Sequence, residues 1–172
     1  MKKVLFLIPV IALLGACKEV DPPLPPASGL TVKLTKANCG LTNDDSTEAF
    51  ETSLAIEGRS EKYVFEIGPN CYAHSQYEEF LIKKDGYIKS KSEYKVDRLI
   101  IDYMSKKGVN FTVLDASGAE VEAHESDVPT EYPASDDYGA VLEYPIDGNG
   151  WSVTNSTEYK PAFYSITVVF SI

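Results

Sequence analysis

The sequence predicts an all-β domain, an antiparallel β-sandwich, and three observations carry that expectation. The C-terminal stretch "PAFYSITVVFSI" alternates side chains with the two-residue period of a strand. Short apolar runs of this kind recur, separated by turn residues at Gly58, Gly68-Pro69-Asn70, Asp85-Gly86, Ser117-Gly118 and Asp147-Gly148-Asn149-Gly150. Helical periodicity is confined to "TEAFETSLAI" at 47–56, which reads either as a short helix capped by Ser46 or as one more strand. Many short strands with regular turns bury their alternating faces by packing two sheets together.

Residues 1–28 stand apart from that domain. Lys2 and Lys3 precede an apolar run over 4–14 that only Pro9 interrupts, and Gly15-Ala16 follow it. The run has no polar face and no cap, which argues against a buried amphipathic helix, and it is too short to cross a bilayer. A charged start, a short apolar centre and small residues at the end make residues 1–16 an export signal. Leu14-Gly15-Ala16-Cys17 resembles the lipobox of bacterial lipoproteins. That resemblance implies cleavage before Cys17, diacylation of its thiol, and a membrane partner held through the lipid, each buried methylene contributing about 0.8 kcal/mol. Pro22, Pro23, Pro25 and Pro26 favour an extended polyproline conformation, so 17–28 reads as the lipidated cysteine and a tether. Lys18 stands where enterobacterial lipoproteins carry an aspartate retention cue. The tract Lys18-Glu19-Val20-Asp21 partly resembles the surface-export signals of Bacteroidota lipoproteins, which implies the outer membrane or cell surface.

The chain carries a formal net charge of −10, and loss of Lys2 and Lys3 with the signal makes it more acidic. An acidic body repels nucleic acid and anionic headgroups, which excludes both as partners. Residues 29–172 suffice for one sandwich domain. With Cys17 assigned to lipid, Cys39 and Cys71 form an even pair in an oxidising compartment. A disulfide between them would close a loop of about thirty residues, worth roughly 3.5 kcal/mol on the chain-entropy model. Two inert buried thiols are the alternative. Cys71-Tyr72-Ala73-His74 has a spacing that zinc can use, but only Cys39 offers a further ligand, so no metal site is assigned.

Along the domain, strands are expected at 30–36, 63–67, 80–83 and 87–90. In "VDRLIIDYM" Leu99, Ile101 and Tyr103 share a face, and in "VNFTVLD" Val109, Phe111 and Val113 do, with "SKKG" at 105–108 turning one into the other as a hairpin. Further strands are expected at 120–123, 140–144 and 151–155. In the last strand Ala162, Tyr164, Ile166, Val168, Phe170 and Ile172 should face the core. "EEFLIKKDGYIKS", "VDRLIIDYMSKKGVNFTVLDASGAEV" and "GWSVTNSTEYKPAFYSITVVF" together resemble the galactose-binding-like, discoidin-type jelly-roll modules of Bacteroidota surface lipoproteins. The resemblance covers about residues 60–172. It implies a jelly roll and a tendency to bind glycans, and assigns no site residue.

Catalytic chemistry is not visible. A hydrolytic triad needs a base, and only His74 and His124 are available, with no G-x-S-x-G or H-E-x-x-H beside them. Both histidines read as loop or surface residues, and the chain reads as a non-enzyme. Binding chemistry is easier to place, because sugars offer apolar C–H faces and a hydroxyl rim that suit aromatic rings beside Asp, Asn or Arg. Candidate ligand-binding residues are Tyr72 and Tyr77 around His74, Tyr132, Asp136, Asp137 and Tyr138 in "EYPASDDYG", and Trp151 after the "DGNG" turn. Against this, Trp151 reads better as the start of a strand that fills the core, and the loop tyrosines equally pack on the surface. The acidic turns "TNDDSTE" and "YPASDDYG" offer oxygens to a structural calcium ion but lack the spacing of a calcium loop, and no other cofactor is implied. Asp45-Ser46-Thr47 resembles a Bacteroidota O-glycosylation motif, and Asn110 and Asn155 begin N-glycosylation sequons. The expected function is therefore a lipid-anchored, adhesin-like module for glycans or cell-surface ligands. A structural or protein-interaction subunit of an envelope complex is the alternative.

Overall fold

A computed structural model of the protein describes residues 29–106, 108–124 and 137–171. The expected export signal, Cys17, the expected tether, Tyr132, Asp136 and Ile172 lie outside the described residues. Twelve strands follow in order: β1 (Thr31–Leu34), β2 (Phe50–Ala55), β3 (Lys62–Ile67), β4 (Cys71–Ala73), β5 (Phe80–Ile82), β6 (Tyr87–Ser90), β7 (Val96–Lys106), β8 (Thr112–Asp115), β9 (Glu120–Val121), β10 (Asp137–Gly148), β11 (Trp151–Thr154) and β12 (Ala162–Phe170). They form two antiparallel sheets. Sheet A runs β10-β7-β12-β5-β4, with β1 beside the C-terminal half of β12, and sheet B runs β2-β3-β6-β11-β8-β9.

The two sheets bury a shared core. Leu99, Ile101 and Tyr103 of β7, Leu142 and Tyr144 of β10, and Ile166 and Val168 of β12 meet Tyr63, Phe65 and Ile67 of β3 and Trp151 and Val153 of β11. At about 25 cal/mol per Å² of apolar surface, burial of this alternating face is the main favourable term holding the sheets together. Within 47–56 the chain forms a strand over Phe50–Ala55: Thr52 and Ser53 are poor helix formers, and pairing with β3 bonds the backbone groups on that side of 50–55.

Two expectations are corrected. β7 and β8 do not form a hairpin, because β7 pairs with β10 and β12 in sheet A whereas β8 pairs with β11 and β9 in sheet B. The chain between them crosses from one sheet to the other, and both keep their expected apolar faces inward: Tyr103, Phe111 and Val113 are all buried. The second correction is in β12. Phe163 pairs with Tyr103 and Ser165 with Asp102, so Tyr164 is the extra residue of a β-bulge. A one-residue insertion reverses the facing of everything before it. Ile166, Val168 and Phe170 point inward as expected, but Phe163 is fully buried in the core, while Tyr164 is 37% exposed.

Flanking chain bonds to sheet A at both β4 and β10. Along β4, Ala73 N donates to Thr42 O at 2.7 Å and Ser46 N to Cys71 O at 2.8 Å, and the Ser46 hydroxyl bonds Gly68 O and accepts from Cys71 N. On the far side His124 N donates to Glu143 O of β10 at 2.9 Å. The bonds along β4 withhold that short edge from edge-to-edge pairing.

Candidate ligand-binding site

The outward face of sheet A carries a row that crosses five strands. Tyr72 of β4 pairs with Leu81 of β5, Leu81 with Ala162 of β12, Ala162 with Met104 of β7, and Met104 with Gly139 of β10. Directly paired residues in an antiparallel sheet share a face. Their chain neighbours Cys71, Phe80, Ile82, Phe163 and Tyr103 point into the core, so the row lies outside it. Leu81 and Ala162 are nonetheless only 7% and 5% exposed, because two loops rise over them. Together the floor and the loops enclose a cavity of about 670 Å³, lined also by His74, Tyr77, Glu79, Ser105, Glu158, Tyr159 and Lys160.

One wall is the loop between β4 and β5. His74 N donates to Glu79 O at 2.9 Å and closes it, and His74 Nδ1 accepts from Gln76 N at 3.1 Å. The His74 and Tyr77 rings sit 4.6 Å apart, and Lys36 Nζ donates to Tyr77 O. Tyr77 remains 57% exposed, which leaves much of its surface available to a ligand. Tyr72 lies deeper, with the Lys83 ammonium 4.9 Å from its ring centre. Burial raises the Tyr72 phenol above its ordinary value, so it is neutral at physiological pH and offers a hydroxyl that both donates and accepts.

The other wall depends on Asn155, which is 1% exposed. Its Nδ2 donates to Ile82 O at 2.9 Å and to Tyr159 O at 2.6 Å, while its Oδ1 accepts from the amide and hydroxyl of Thr157 at 2.8 and 2.9 Å. Backbone bonds link Asn155 to Asp85 and Gly86 in the turn between β5 and β6. One side chain thereby ties the end of β5 to the loop that presents Glu158, Tyr159 and Lys160. A salt bridge from Lys84 to Glu158 joins the same two loops at the surface. The amide that heads the sequon "NST" is buried and fully engaged in these bonds.

Of the residues nominated from sequence, Tyr72 and Tyr77 line the cavity. Asp137 and Tyr138 open β10, where they pair with Lys106 and Ser105, and Ser105 lines the cavity too. Residues 71–77 and 137–139 therefore flank one end of sheet A from its two opposite edge strands. Trp151 does not join them. It is 3% exposed, its indole N–H donates to Tyr63 Oη at 2.9 Å, and its ring meets Phe65, so it fills the core as the first residue of β11. Cys39 and Cys71 are free, buried thiols rather than a disulfide. Each sulfur turns to a nearby carbonyl: Cys39 to Lys36 O at 3.3 Å, and Cys71 to Tyr87 O at 3.6 Å and Pro69 O at 3.7 Å. Burial pushes both thiols up, that of Cys71 to about 12. Among the described residues no three His, Cys, Asp or Glu side chains gather as metal ligands, and Asp45 of the acidic turn pairs with Lys83.

His74, Tyr159, Met104 and Asn155 were not nominated from sequence. For Asn155 a signal existed, since Asn followed two residues later by Thr is a turn-forming pair. No protein-family model and no curated protein matches the chain. Three tyrosine rings, an imidazole, two carboxylates and an ammonium around an apolar floor suit a ligand with C–H faces and many hydroxyls.

Proposed function

We propose that the chain is a lipid-anchored surface protein whose sandwich is a non-catalytic, glycan-binding module, and that saccharide binds in the cavity on the outward face of sheet A. The single observation that carries the reading is the convergence of Tyr72, Tyr77 and Tyr159 on that cavity beside Glu79, Glu158 and Lys160. Flat aromatic faces take the apolar side of a pyranose, and the polar side chains take its hydroxyls. The anchor rests on the sequence before residue 18: a charged start, a short apolar run and "LGAC". Acylation at Cys17 and the proline-rich tether would set the module outside the membrane with its cavity open to solvent.

All described strands follow residue 28 and close their own core, so the soluble chain 28–172 is the material to test. A glycan array probed with it, with and without calcium, should give a restricted set of signals that Tyr77→Ala removes. Uniform silence, or signals that Tyr77→Ala leaves unchanged, overturns the assignment. Metabolic acyl labelling of the full chain should be lost in Cys17→Ala, and unchanged labelling refutes the anchor.

A further inference from the structure

The floor of the cavity does not stop where its walls stop. Past Met104 the row reaches Gly139 on β10, four strand spacings from Tyr72, a run of about 19 Å. The floor narrows to small side chains at two of its five positions, Ala162 and Gly139, and Gly139 is exposed. Aromatic surface stands at the β4 end of the row and again at its middle. Tyr72 and Tyr77 occupy the β4 side, and Tyr164, displaced outward by the β12 bulge, places its hydroxyl 3.8 Å from Met104 Sδ. Val141, next on the outward face of β10 after Gly139, is 53% exposed.

A pocket for one terminal sugar would be closed around a single ring. This site is walled by loops at its β4 and β12 sides and, among the described residues, continues across β7 toward β10 past the half-buried Met104 to the exposed Gly139 and Val141, with the Asp102 carboxylate of β7 opposite Val141. We propose that it reads an extended saccharide laid across the strands, with one unit between Tyr72, Tyr77 and Tyr159 and later units over Met104, Tyr164 and Gly139. The inference rests on the glycan-binding reading above and adds to it the ligand class, an internal stretch of a chain instead of a chain end.

The bulge gives the inference a physical reason. Without the extra residue in β12, Tyr164 would follow the alternation into the core and the strip would lose its second ring. Gly139 has a φ outside the left-handed region, and among the described residues a Cβ there meets only Tyr103 O at 3.5 Å, an ordinary contact. Substitution at Gly139 is therefore tolerated by the fold, and a longer side chain obstructs the strip without touching the walled end.

The test is calorimetric titration of chain 28–172 with the glycan of strongest array signal and with its own fragments, down to the monosaccharide. Affinity should rise at least about tenfold from the monosaccharide to the longest fragment. Tyr164→Ala and Gly139→Gln, each checked for an unchanged melting temperature, should each remove about tenfold of that gain, whereas Tyr77→Ala weakens every length. A monosaccharide that binds as tightly as the chain, or a length dependence untouched by both variants, overturns the inference and leaves glycan binding standing. Failure of every fragment to bind overturns both.

Discussion

Trp151 and Tyr63, far apart in sequence and on different strands of sheet B, share a 2.9 Å hydrogen bond inside the core, the indole N–H donating to the phenol oxygen. Tyr63 Oη in turn donates to Ser90 Oγ at 2.8 Å, so the polar tips of two large rings are satisfied without water. Burial alone raises the Tyr63 phenol, which stays a neutral donor. As the only tryptophan, Trp151 should emit at short wavelength, resist iodide quenching, and show no change on saccharide binding. Trp151→Phe leaves the Tyr63 oxygen short of a donor and removes ring area, a loss of about 1–3 kcal/mol in urea unfolding with ligand affinity retained. Red-shifted, quenchable emission would place the indole at the surface.

Asn155 should be the most sensitive polar position near the site. Asn155→Ala removes the partner of two carbonyl acceptors and two donors of the Thr157 turn in a part-buried setting, which costs about 1–3 kcal/mol. Asn155→Asp should do no better, since a carboxylate accepts from Thr157 but turns negative charge on Ile82 O and Tyr159 O. Both variants should also weaken saccharide binding, because the wall bearing Tyr159 is released. An Asn155→Asp protein as stable as wild type would show that the two donated bonds contribute little.

Legibility in the sequence followed the physics of each element. The apolar faces of β7 and β8 were plain, because a two-residue period survives whichever strand lies alongside. Pairing was not plain: nothing in "SKKG" distinguishes a hairpin turn from a crossover between sheets. The β12 facing failed at Tyr164, since a bulge is set by the partner strand and leaves no mark on alternation. Tyr72 and Tyr77, which line the cavity, stood out because tyrosines crowd a short stretch, whereas Met104 and Tyr159 reach the cavity only through register and through Asn155. The short strand β4 was invisible, as three residues carry no period.

The thiols offer a direct chemical check. Cys71, pushed up to about 12 by desolvation, and Cys39, raised by the same cause, hold negligible thiolate near neutral pH. The native chain 28–172 should therefore resist alkylation at pH 8, and both thiols should react once guanidinium exposes them. If neither reacts in denaturant until a reductant is added, the two are bridged in the protein.

Glu66 supplies the pH dependence of the opposite sheet. On the outward face of sheet B its Oε1 accepts from Lys89 Nζ at 2.7 Å and from Tyr87 Oη at 2.7 Å, and its Oε2 lies 3.3 Å from Lys91 Nζ. The Lys89 bond first, then Tyr87, hold the carboxyl at about 2, against an ordinary value of 4.5. A carboxyl whose folded value is depressed stabilises the fold fully above its unfolded value, and loses that contribution as pH falls through the folded one. The stabilisation is thus present at pH 7 and disappears between about 4.5 and about 2. Lys89 and Lys91 are 40% and 43% exposed, so solvent screening limits the effect to about 1–2 kcal/mol. In urea unfolding, wild type should exceed Glu66→Gln by that amount at pH 7, and the gap should close as the pH is lowered through this window. A gap that persists at the acid end would mean that packing of the side chain, and not its charge, provides the difference.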